Sequence, residues 1–217
     1  MLENQLSKLI PFYSELTGPQ IQLILQTARE KTFYAGNVLM AENSSCQGFI
    51  IIKKGEISVN MTSQDGREAE LFRLCDGDFC IFTASCLFLP KSFHVQMTAE
   101  KESQVFIIPS ITVEKLRNQN IHVELFAYKT MTARFANVMT ATEEMLFVPV
   151  ERRLAKYLST AQGPIKITQE ELARKLGTAR EVISRLLSSL RREGVIETRR
   201  GEIRIIQPSL LKELALK

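Results

Sequence analysis

Two short amphipathic patterns that meet at one glycine constrain the fold more than any other stretch of this chain. The first spans Gln169–Leu176 and the second Ala179–Arg192, with Gly177 between them. Glycine readily adopts the positive φ at which many helices stop. Apolar side chains recur at helical spacing, at Leu172, Ala173 and Leu176 in the first pattern and at Val182, Leu186 and Leu190 in the second. The patterns predict two helices joined by a tight turn, a helix-turn-helix.

Each of these helices has a candidate start signal. Thr168 precedes Glu171 by three residues, and Thr178 precedes Glu181 by the same spacing. In a capping box, the threonine oxygen accepts a hydrogen bond from the third backbone N–H, and the acidic side chain accepts one from the threonine N–H. We therefore expect both helices to begin with capping boxes, at Thr168 and at Thr178.

The polar side of the second helix is cationic. Its side chains, which suit base edges and phosphates, are Arg180, Ser184, Arg185, Ser188 and Arg191. Residues 150–217 hold 15 Lys and Arg against 8 Asp and Glu, a net charge of +7, whereas residues 1–149 have a net charge of −3. A basic region that coincides with the helix-turn-helix favours a polyanionic partner.

The composition limits the class of protein. A chain of 217 residues that is 45% hydrophobic can bury a core in more than one domain. The first residues contain an early acid and lack the apolar run of a secretory signal. No stretch approaches the roughly 18 uninterrupted apolar residues of a membrane span. We therefore expect a cytoplasmic protein without a membrane partner, and four cysteines that are thiols rather than disulfides.

The first half of the chain changes from helical to strand-like patterns. Residues 2–29 predict two short helices, with Pro19 in the first turn of the second. Short apolar runs cut by glycines follow, at Val38–Met40, Phe49–Ile52, Ile57–Asn60, Ala69–Leu74, Phe93–Met97 and Gln104–Ile108. A spacing of roughly 8–12 residues between such runs predicts an antiparallel sandwich or barrel. Asp65-Gly66 is expected to form a hairpin turn within it.

A long helix is predicted over residues 111–146. Its apolar stripe alternates steps of four and three residues, as in the seam of a coiled coil. The stripe contains Ile121, Leu125, Tyr128, Phe135 and Met139, with Thr132, Thr142 and Leu146 at the other seam positions. One interpretation is an amphipathic helix that packs against its own domain and nothing else. Because its apolar surface is wide, we expect it to pack on its own domain and also on a second copy of the chain.

Val148-Pro149 breaks this helix and marks the expected domain boundary. The predicted parts are residues 1–109, residues 110–147 with the long helix, and residues 148–217. The last part begins with a helix over Glu151–Thr160. After the helix-turn-helix, Val195–Glu197 and Ile203–Ile206 predict a β-hairpin, the wing of a winged helix. A helix over Leu210–Leu216 ends the chain.

This order of elements resembles the Crp/Fnr family of bacterial transcription regulators over nearly the whole chain. The most specific stretch is Thr168-Gln-Glu-Glu-Leu-Ala, the Leu176-Gly177 turn and Arg180-Glu181-Val-Ile-Ser184-Arg185. The resemblance implies an α+β fold: an N-terminal double-stranded β-helix (a jelly roll, here called the β-roll) like a cyclic-nucleotide-binding domain, a long dimerisation helix and a C-terminal winged helix-turn-helix. It also implies a homodimer that binds double-stranded DNA at a two-fold-symmetric operator and contacts RNA polymerase.

The resemblance assigns base-reading roles to Arg180, Glu181, Ser184 and Arg185. Carried over, the two arginines donate to guanine and Glu181 accepts from cytosine, which implies a half-site similar to TGTGA. Surface arginines are commonly solvated charges, but a cation in a first helical turn opposes the helix dipole, so local stability does not explain Arg180. A capping role for Glu181 would be a complete structural explanation of that residue.

Residues around the two helices are candidates for phosphate contacts. They are Lys166, Thr168, Gln169, Thr178, Arg199 and Arg200. Charges that flank a recognition helix contact phosphate more often than bases. For Lys166, Arg199 and Arg200, charges that serve only solubility are the alternative.

The effector of the β-roll is not identified by the sequence. Members of the family that respond to cyclic AMP carry a Gly-Glu pair for the ribose and an Arg-Ser or Arg-Thr pair for the phosphate. The nearest matches here are Gly77-Asp78 and Lys91-Ser92. Asp78 is a shorter acid, and Lys91 lacks the guanidinium fork that binds phosphate at two points, which argues against cyclic AMP. Asp78, Lys91 and Ser92 therefore stay candidates for another small effector.

Cysteines and histidines argue against a metal cofactor. Residues 1–45 lack the cysteine cluster of iron–sulfur members, and the Cys80–Cys86 spacing is typical of neither a zinc site nor a cluster. These two cysteines are interpreted as buried thiols, with a redox switch as the alternative. The chain has only two histidines, His94 and His122, which argues against haem and against a metal-dependent enzyme of the cupin type. We therefore predict a regulator and no enzyme. A regulator that binds DNA constitutively, with a β-roll that binds no ligand, is the alternative.

Overall fold

The computed structural model describes residues 2–41, 48–63, 68–80, 95–161, 163–199 and 201–216. Some residues with predicted roles lie outside these ranges: Cys46, Asp65, Gly66, Cys86, Lys91, Ser92, His94 and Arg200. The chain forms two compact units. The first contains Met1–Asn60 and Phe72–Val138, and the second contains Met61–Leu71 and Met139–Lys217.

The first unit begins with the helices that the sequence predicts. Helix α1 spans Leu2–Leu9, a 3₁₀ turn spans Tyr13–Glu15 and helix α2 spans Gly18–Thr27. Pro19 lies in the first turn of α2, as expected. Leu6 and Ile24 are buried and anchor the two helices to the core.

Seven strands of the first half form two sheets. They are β1 (Arg29–Phe33), β2 (Val38–Met40), β3 (Gly48–Lys54), β4 (Glu56–Thr62), β5 (Glu68–Cys75), β6 (Val95–Ala99) and β7 (Ser103–Pro109). One sheet has the order β1-β7-β3 and the other the order β2-β6-β4-β5. Strands β2 to β7 confirm the predictions from the apolar runs. Strand β1 was not predicted, because its residues, REKTF, are mostly exposed and have no apolar alternation.

Inward-facing aliphatic and aromatic side chains hold the two sheets together. Ile51 of β3 lies opposite Phe106 of β7, and neither side chain is accessible to solvent. Met97 of β6 is likewise buried. Burial of a side chain of this size contributes about 1.5–3 kcal/mol, so each of these residues stabilises the β-roll.

The prediction of one continuous helix over residues 111–146 is wrong at Asn120. Helix α3 ends at Gln119 and helix α4 begins at Ile121, so that α3 is Ser110–Gln119 and α4 is Ile121–Phe147. The Asn120 amide donates to the Glu15 carbonyl (2.8 Å) and to Gln20 Oε1 (3.1 Å), and its oxygen accepts from the His122 N–H (3.0 Å). These bonds favour an extended backbone at Asn120 over a helical one.

Helix α4 has a buried and an exposed apolar face. Val123 and Ala127 are buried within the first unit. Six apolar residues of the predicted seam are exposed, namely Ile121, Leu125, Tyr128, Phe135, Met139 and Leu146. This exposure agrees with the expected two-sided helix, and the second copy that would cover the seam stays a prediction.

After the long helix α4, the second unit contains four helices and a small sheet. The helices are α5 (Val150–Ser159), α6 (Gln169–Lys175), α7 (Arg180–Arg192) and α8 (Pro208–Leu216), and the strands are β8 (Ile165–Lys166), β9 (Ile196–Arg199) and β10 (Glu202–Ile205). The hairpin of β9 and β10 confirms the wing, and β8 adds a third antiparallel strand beside β10. Strand β8 was not predicted, because two residues are too few for a periodicity.

The core of the second unit is formed by all four helices and the sheet. Leu154 and Leu158 of α5, Leu172 of α6, Ile203 of β10 and Leu211 of α8 are among its buried residues. Arg153 of α5 is also buried, and this burial lowers the pKa of its guanidinium. Among the helices that the structure describes, none is long and apolar enough to cross a lipid bilayer.

Candidate nucleic-acid interface

The start of α6 is the capping box that the sequence predicts. The Glu171 N–H donates to Thr168 Oγ1 (3.1 Å), and the Thr168 N–H donates to Glu171 Oε2 (2.7 Å). The Thr168 hydroxyl also donates to the same carboxylate (2.9 Å). These bonds satisfy two backbone donors that a helix start leaves without partners. The first helix of the motif is therefore fixed at its exposed end.

The turn between α6 and α7 is a Schellman motif around Gly177. The Thr178 N–H donates to the Ala173 carbonyl (3.0 Å), and the Gly177 N–H donates to the Arg174 carbonyl (3.2 Å). Gly177 has a φ of +57°, which confirms its predicted role. The end of α6 is thus satisfied by the backbone of the turn itself.

The capping box predicted at Thr178 is wrong. Thr178 is engaged in ending α6, and the N-cap of α7 is Ala179, one residue later, with no side-chain hydrogen bond to the helix start. Glu181 consequently has no capping role. The structural explanation that competed with base contact by Glu181 is thereby removed.

The buried side of α7 also differs from the predicted stripe. Ile183, Leu187 and Leu190 are buried, whereas Val182 and Leu186 are only half-buried. Both sets fit a helical repeat, and periodicity alone does not separate them. Packing decides, because Ile183 and Leu187 join the core cluster that contains Leu172. The stripe is therefore displaced by one residue, except at Leu190.

The predicted base-reading residues lie outside the buried stripe of α7, with Glu181 and Arg185 on the far side and Arg180 at its flank. Arg180, Glu181 and Arg185 are exposed, and Ser184 is half-buried. Within the described ranges, the side chains of these four residues make no hydrogen bond or salt bridge. Their donors and acceptors are therefore available to a partner, and Arg180 and Arg185 can each present a planar fork of N–H groups.

A surface groove of about 700 Å³ connects α6, α7 and the wing. Four predicted residues line it: Thr168 and Gln169 from α6, Arg180 from α7 and Arg199 from the wing. The groove thus brings together candidates for base and phosphate contacts that are up to 31 positions apart in sequence.

Three polar side chains that line this groove were not predicted as site residues from the sequence. They are Glu170, Thr198 and Glu202. Thr198 follows the buried Ile196 by two positions, so the alternation of side chains along β9 could have indicated it. Glu202 lies opposite both Arg199 and Lys166 in the sheet register. Its carboxylate introduces a negative charge beside the cations of the wing.

The remaining candidates for phosphate contacts are distributed around the groove. Lys166 is exposed on β8, and Thr178 is half-buried at the turn; neither lines the groove. Arg174 and Lys175 of α6, which carry positive charge close by, face carboxylates instead. Their nitrogens lie 3.9 Å from Glu68 and 3.8 Å from Glu70, respectively. The positive charge of the exposed interface therefore comes from α7, the wing and Lys166 on β8.

The predicted effector and redox residues are only partly described. Asp78 pairs with Arg134 of α4, with 2.6 Å between Oδ1 and the guanidinium nitrogen. Cys80 is buried, with its sulfur 3.5 Å from Met97 Sδ, as a buried thiol would be. Cys86, Lys91 and Ser92 lie outside the described residues. Among the residues the structure describes, no group of three His, Cys, Asp or Glu side chains could hold a metal ion.

Two family models match this chain. The Crp-like helix-turn-helix domain matches residues 152–214, which include α6, α7 and the wing. The cyclic nucleotide-binding domain matches residues 30–120, which include strands β2 to β7. The two matches do not overlap, and together they cover most of the chain.

Curated proteins and solved structures show the same likeness. The chain is 26% identical to the cAMP-activated global transcriptional regulator Vfr of Pseudomonas aeruginosa, over 80% of this chain and 84% of that protein. It is 24% identical to the cAMP-activated global transcriptional regulator CRP of Escherichia coli O6:H1, over 83% and 90%. A putative transcriptional regulator of the crp/fnr family from Eubacterium rectale superposes with a TM-score of 0.90 at 29% identity, covering 97% of this chain and 100% of that chain. The c-di-GMP responsive regulator CLP of Xanthomonas campestris shares the fold, with a TM-score of 0.73 at 18% identity, covering 87% and 99%.

Proposed function

Because the chain belongs to the Crp/Fnr family of DNA-binding transcription regulators, we propose that it binds a two-fold-symmetric, TGTGA-like operator as a homodimer in the cytoplasm. The observation that carries this proposal is the groove between α6, α7 and the wing. It combines the Arg180 guanidinium, which has no partner within the described residues, with Thr168, Gln169 and Arg199. A bidentate arginine can read guanine, while the surrounding groups contact the backbone of the duplex.

The base-reading roles follow from the position of each side chain on α7. Arg180 and Glu181 lie in the first turn, and Arg185 lies one turn beyond Glu181 on the same exposed side. The N-terminal part of a recognition helix is the part that reaches base edges in the major groove. We assign Arg180 and Arg185 to guanines and Glu181 to a cytosine, with Ser184 beside them. Lys166, Thr168, Gln169, Thr178, Arg199 and Arg200 are assigned to phosphates.

Alanine substitutions measured on two DNAs test these roles. Arg180→Ala or Arg185→Ala should weaken binding to the specific operator by about 1–3 kcal/mol and change binding to a random duplex much less. Lys212→Ala is the matched control, because it removes one exposed cation from α8, outside the groove. Binding is measured by fluorescence anisotropy at one fixed salt concentration. Equal losses on both DNAs would contradict base reading.

The exposed seam of α4 supports the homodimer. Its six apolar residues are solvent-exposed in the single chain, and a second α4 would cover them. Thr132, at a polar seam position, donates its hydroxyl to the Tyr128 carbonyl (3.0 Å), so it can enter such an interface without an unsatisfied donor. A two-fold dimer would place two recognition helices in successive major grooves. RNA polymerase is the protein partner that the family implies.

A small effector is proposed to bias the β-roll between DNA-binding and non-binding states. Relatives named for activation by cyclic AMP make a cyclic nucleotide the first class to test, although Lys91 replaces the arginine expected for its phosphate. The second candidate is a constitutive regulator without a ligand. An operator titration with and without a small-molecule extract of the source cells separates the two: an unchanged affinity would contradict effector gating.

A further inference from the structure

Residues 77–80, here called the ledge, are hydrogen-bonded through their backbone to strand β3. The Gly77 N–H donates to the Ile52 carbonyl (2.8 Å), and the Ile52 N–H donates to the Asp78 carbonyl (2.9 Å). The Cys80 N–H donates to the Ile50 carbonyl (2.9 Å). The Asp78 side chain also accepts from the Cys75 N–H (2.8 Å), so the carboxylate is oriented by its own turn. The position of this ledge is therefore set by the sheet.

Two neighbouring residues of the ledge contact α4 at separate points. Phe79 packs edge-on against Phe126, with 4.7 Å between ring centroids. Asp78 accepts from Arg134 at 2.6 Å. Phe126 and Arg134 are eight residues apart, or about 12 Å along the helix axis. One fixed ledge thus determines the position of two turns of the long helix.

Arg134 is held both by its ion pair with Asp78 and by contact with an aromatic ring. Its guanidinium also lies over the Phe72 ring, 5.6 Å from the centroid. The side chain is 15% exposed and that of Asp78 is 36% exposed. Charge-assisted hydrogen bonds in such partly desolvated positions are stronger than surface ion pairs, and removing one partner leaves the other poorly solvated. The pair therefore contributes more than an ordinary surface salt bridge.

We propose that the Asp78–Arg134 pair is a clasp that positions α4 on the β-roll without any ligand and thereby sets the DNA affinity of the effector-free protein. The predicted effect on DNA affinity rests on the function proposed above, whereas the positioning of α4 does not. Asp78 and Arg134 are positioning residues that act through α4. In the clasped state the Asp78 carboxylate is engaged by the protein itself, so an effector that used it would first have to displace Arg134.

Hydrogen exchange of the full-length protein without DNA tests the clasp directly. Asp78→Asn and Arg134→Gln should each speed exchange in α4 peptides around residues 128–138 by about tenfold relative to wild type. Lys129→Gln is the matched control, because it removes an exposed cation from the same helix. Arg134→Lys keeps a cation that can still donate to Asp78, and it should retain more of the protection than Arg134→Gln. Unchanged exchange in both single variants, or equal losses for Arg134→Lys and Arg134→Gln, would overturn the clasp.

Operator affinity then tests the coupling to DNA. Asp78→Asn and Arg134→Gln should change the affinity of the effector-free protein in the same direction and by a similar factor, and Arg134→Lys should change it less. A merely local role would alter exchange and leave affinity unchanged, which would overturn the coupling. A wild-type protein that binds no operator-type DNA would refute the proposed function, whereas the exchange result would still decide the clasp.

Discussion

Replacement of Gly177 by alanine should destabilise the second unit through two separable effects. The first is conformational, because a φ of +57° places residue 177 in the left-handed region, where a Cβ is disfavoured. The second is steric, because a Cβ on Gly177 would lie 3.1 Å from Met145 Sδ and 3.3 Å from Met145 Cγ. Since Met145 is flexible, it can move by a few tenths of an ångström, and this keeps the steric effect small.

The magnitudes follow from these two effects. The left-handed conformation destabilises an alanine by about 1–2 kcal/mol relative to glycine. Alanine also lowers the conformational entropy of the unfolded chain, which offsets about 0.4–1 kcal/mol of this loss. Crowding at Met145 adds about 1 kcal/mol. Gly177→Ala should therefore cost about 2 kcal/mol. Gly201 has a φ of +73°, and a Cβ there would meet no atom of the described residues within 4 Å. Gly201→Ala should therefore cost only about 1 kcal/mol.

Urea unfolding of the full chain, followed by circular dichroism, measures both effects. Gly177→Asn provides a further comparison, because asparagine tolerates the left-handed region better than alanine and should lose less stability. Coincident transitions for Gly177→Ala and wild type would refute the left-handed turn as a stability determinant. Equal losses for Gly177→Ala and Gly201→Ala would refute the contribution of Met145.

Three further variant sets test the helices. Thr168→Ala should lower the free energy of unfolding by about 1 kcal/mol because it removes the cap of α6, whereas Thr178→Ala should change it by less than about 0.5 kcal/mol; urea midpoints distinguish the two. Ile183→Ala should lower the free energy of unfolding by about 2–4 kcal/mol because it leaves a cavity, and Val182→Ala should lower it clearly less. A larger loss for Val182→Ala would contradict the observed buried side of α7 and support the stripe predicted from sequence. Phe135→Glu should shift the protein to monomers in sedimentation equilibrium, and an unchanged mass would contradict the α4 seam.

The fold was predictable where local signals agree with packing. Strands β3 and β7 combine apolar runs with flanking glycine and proline, and both were identified. The break at Asn120 was not predicted, because the hydrogen bonds that favour it come from Glu15 and Gln20, about a hundred positions away. Strand β1 was not predicted because backbone hydrogen bonds pair it with β7. Such bonds require no apolar alternation, and the polar sequence of β1 has none.

The candidate site was predictable in its residues more than in its local geometry. Arg180 and Arg185 are exposed on α7, as the resemblance implies. The start of α7 was misplaced, because the Thr-x-x-Glu pattern at Thr178 is indistinguishable from the functional cap at Thr168. What separates them is the Schellman turn, which uses the Thr178 backbone and depends on three-dimensional closure around Gly177. The spacing of Thr178 and Glu181 therefore does not show whether Thr178 caps α7 or ends α6.

The late start of α7 has a consequence for the free protein. Ala179 offers no side-chain acceptor, and within the described residues no protein acceptor occupies the backbone N–H groups of Arg180 and Glu181. In the absence of a partner, only water can complete this helix end. The substitution Ala179→Ser would supply about 1 kcal/mol of helix stability. Helix α7 thus presents two backbone donors at its start, and only solvent or a bound partner can accept from them.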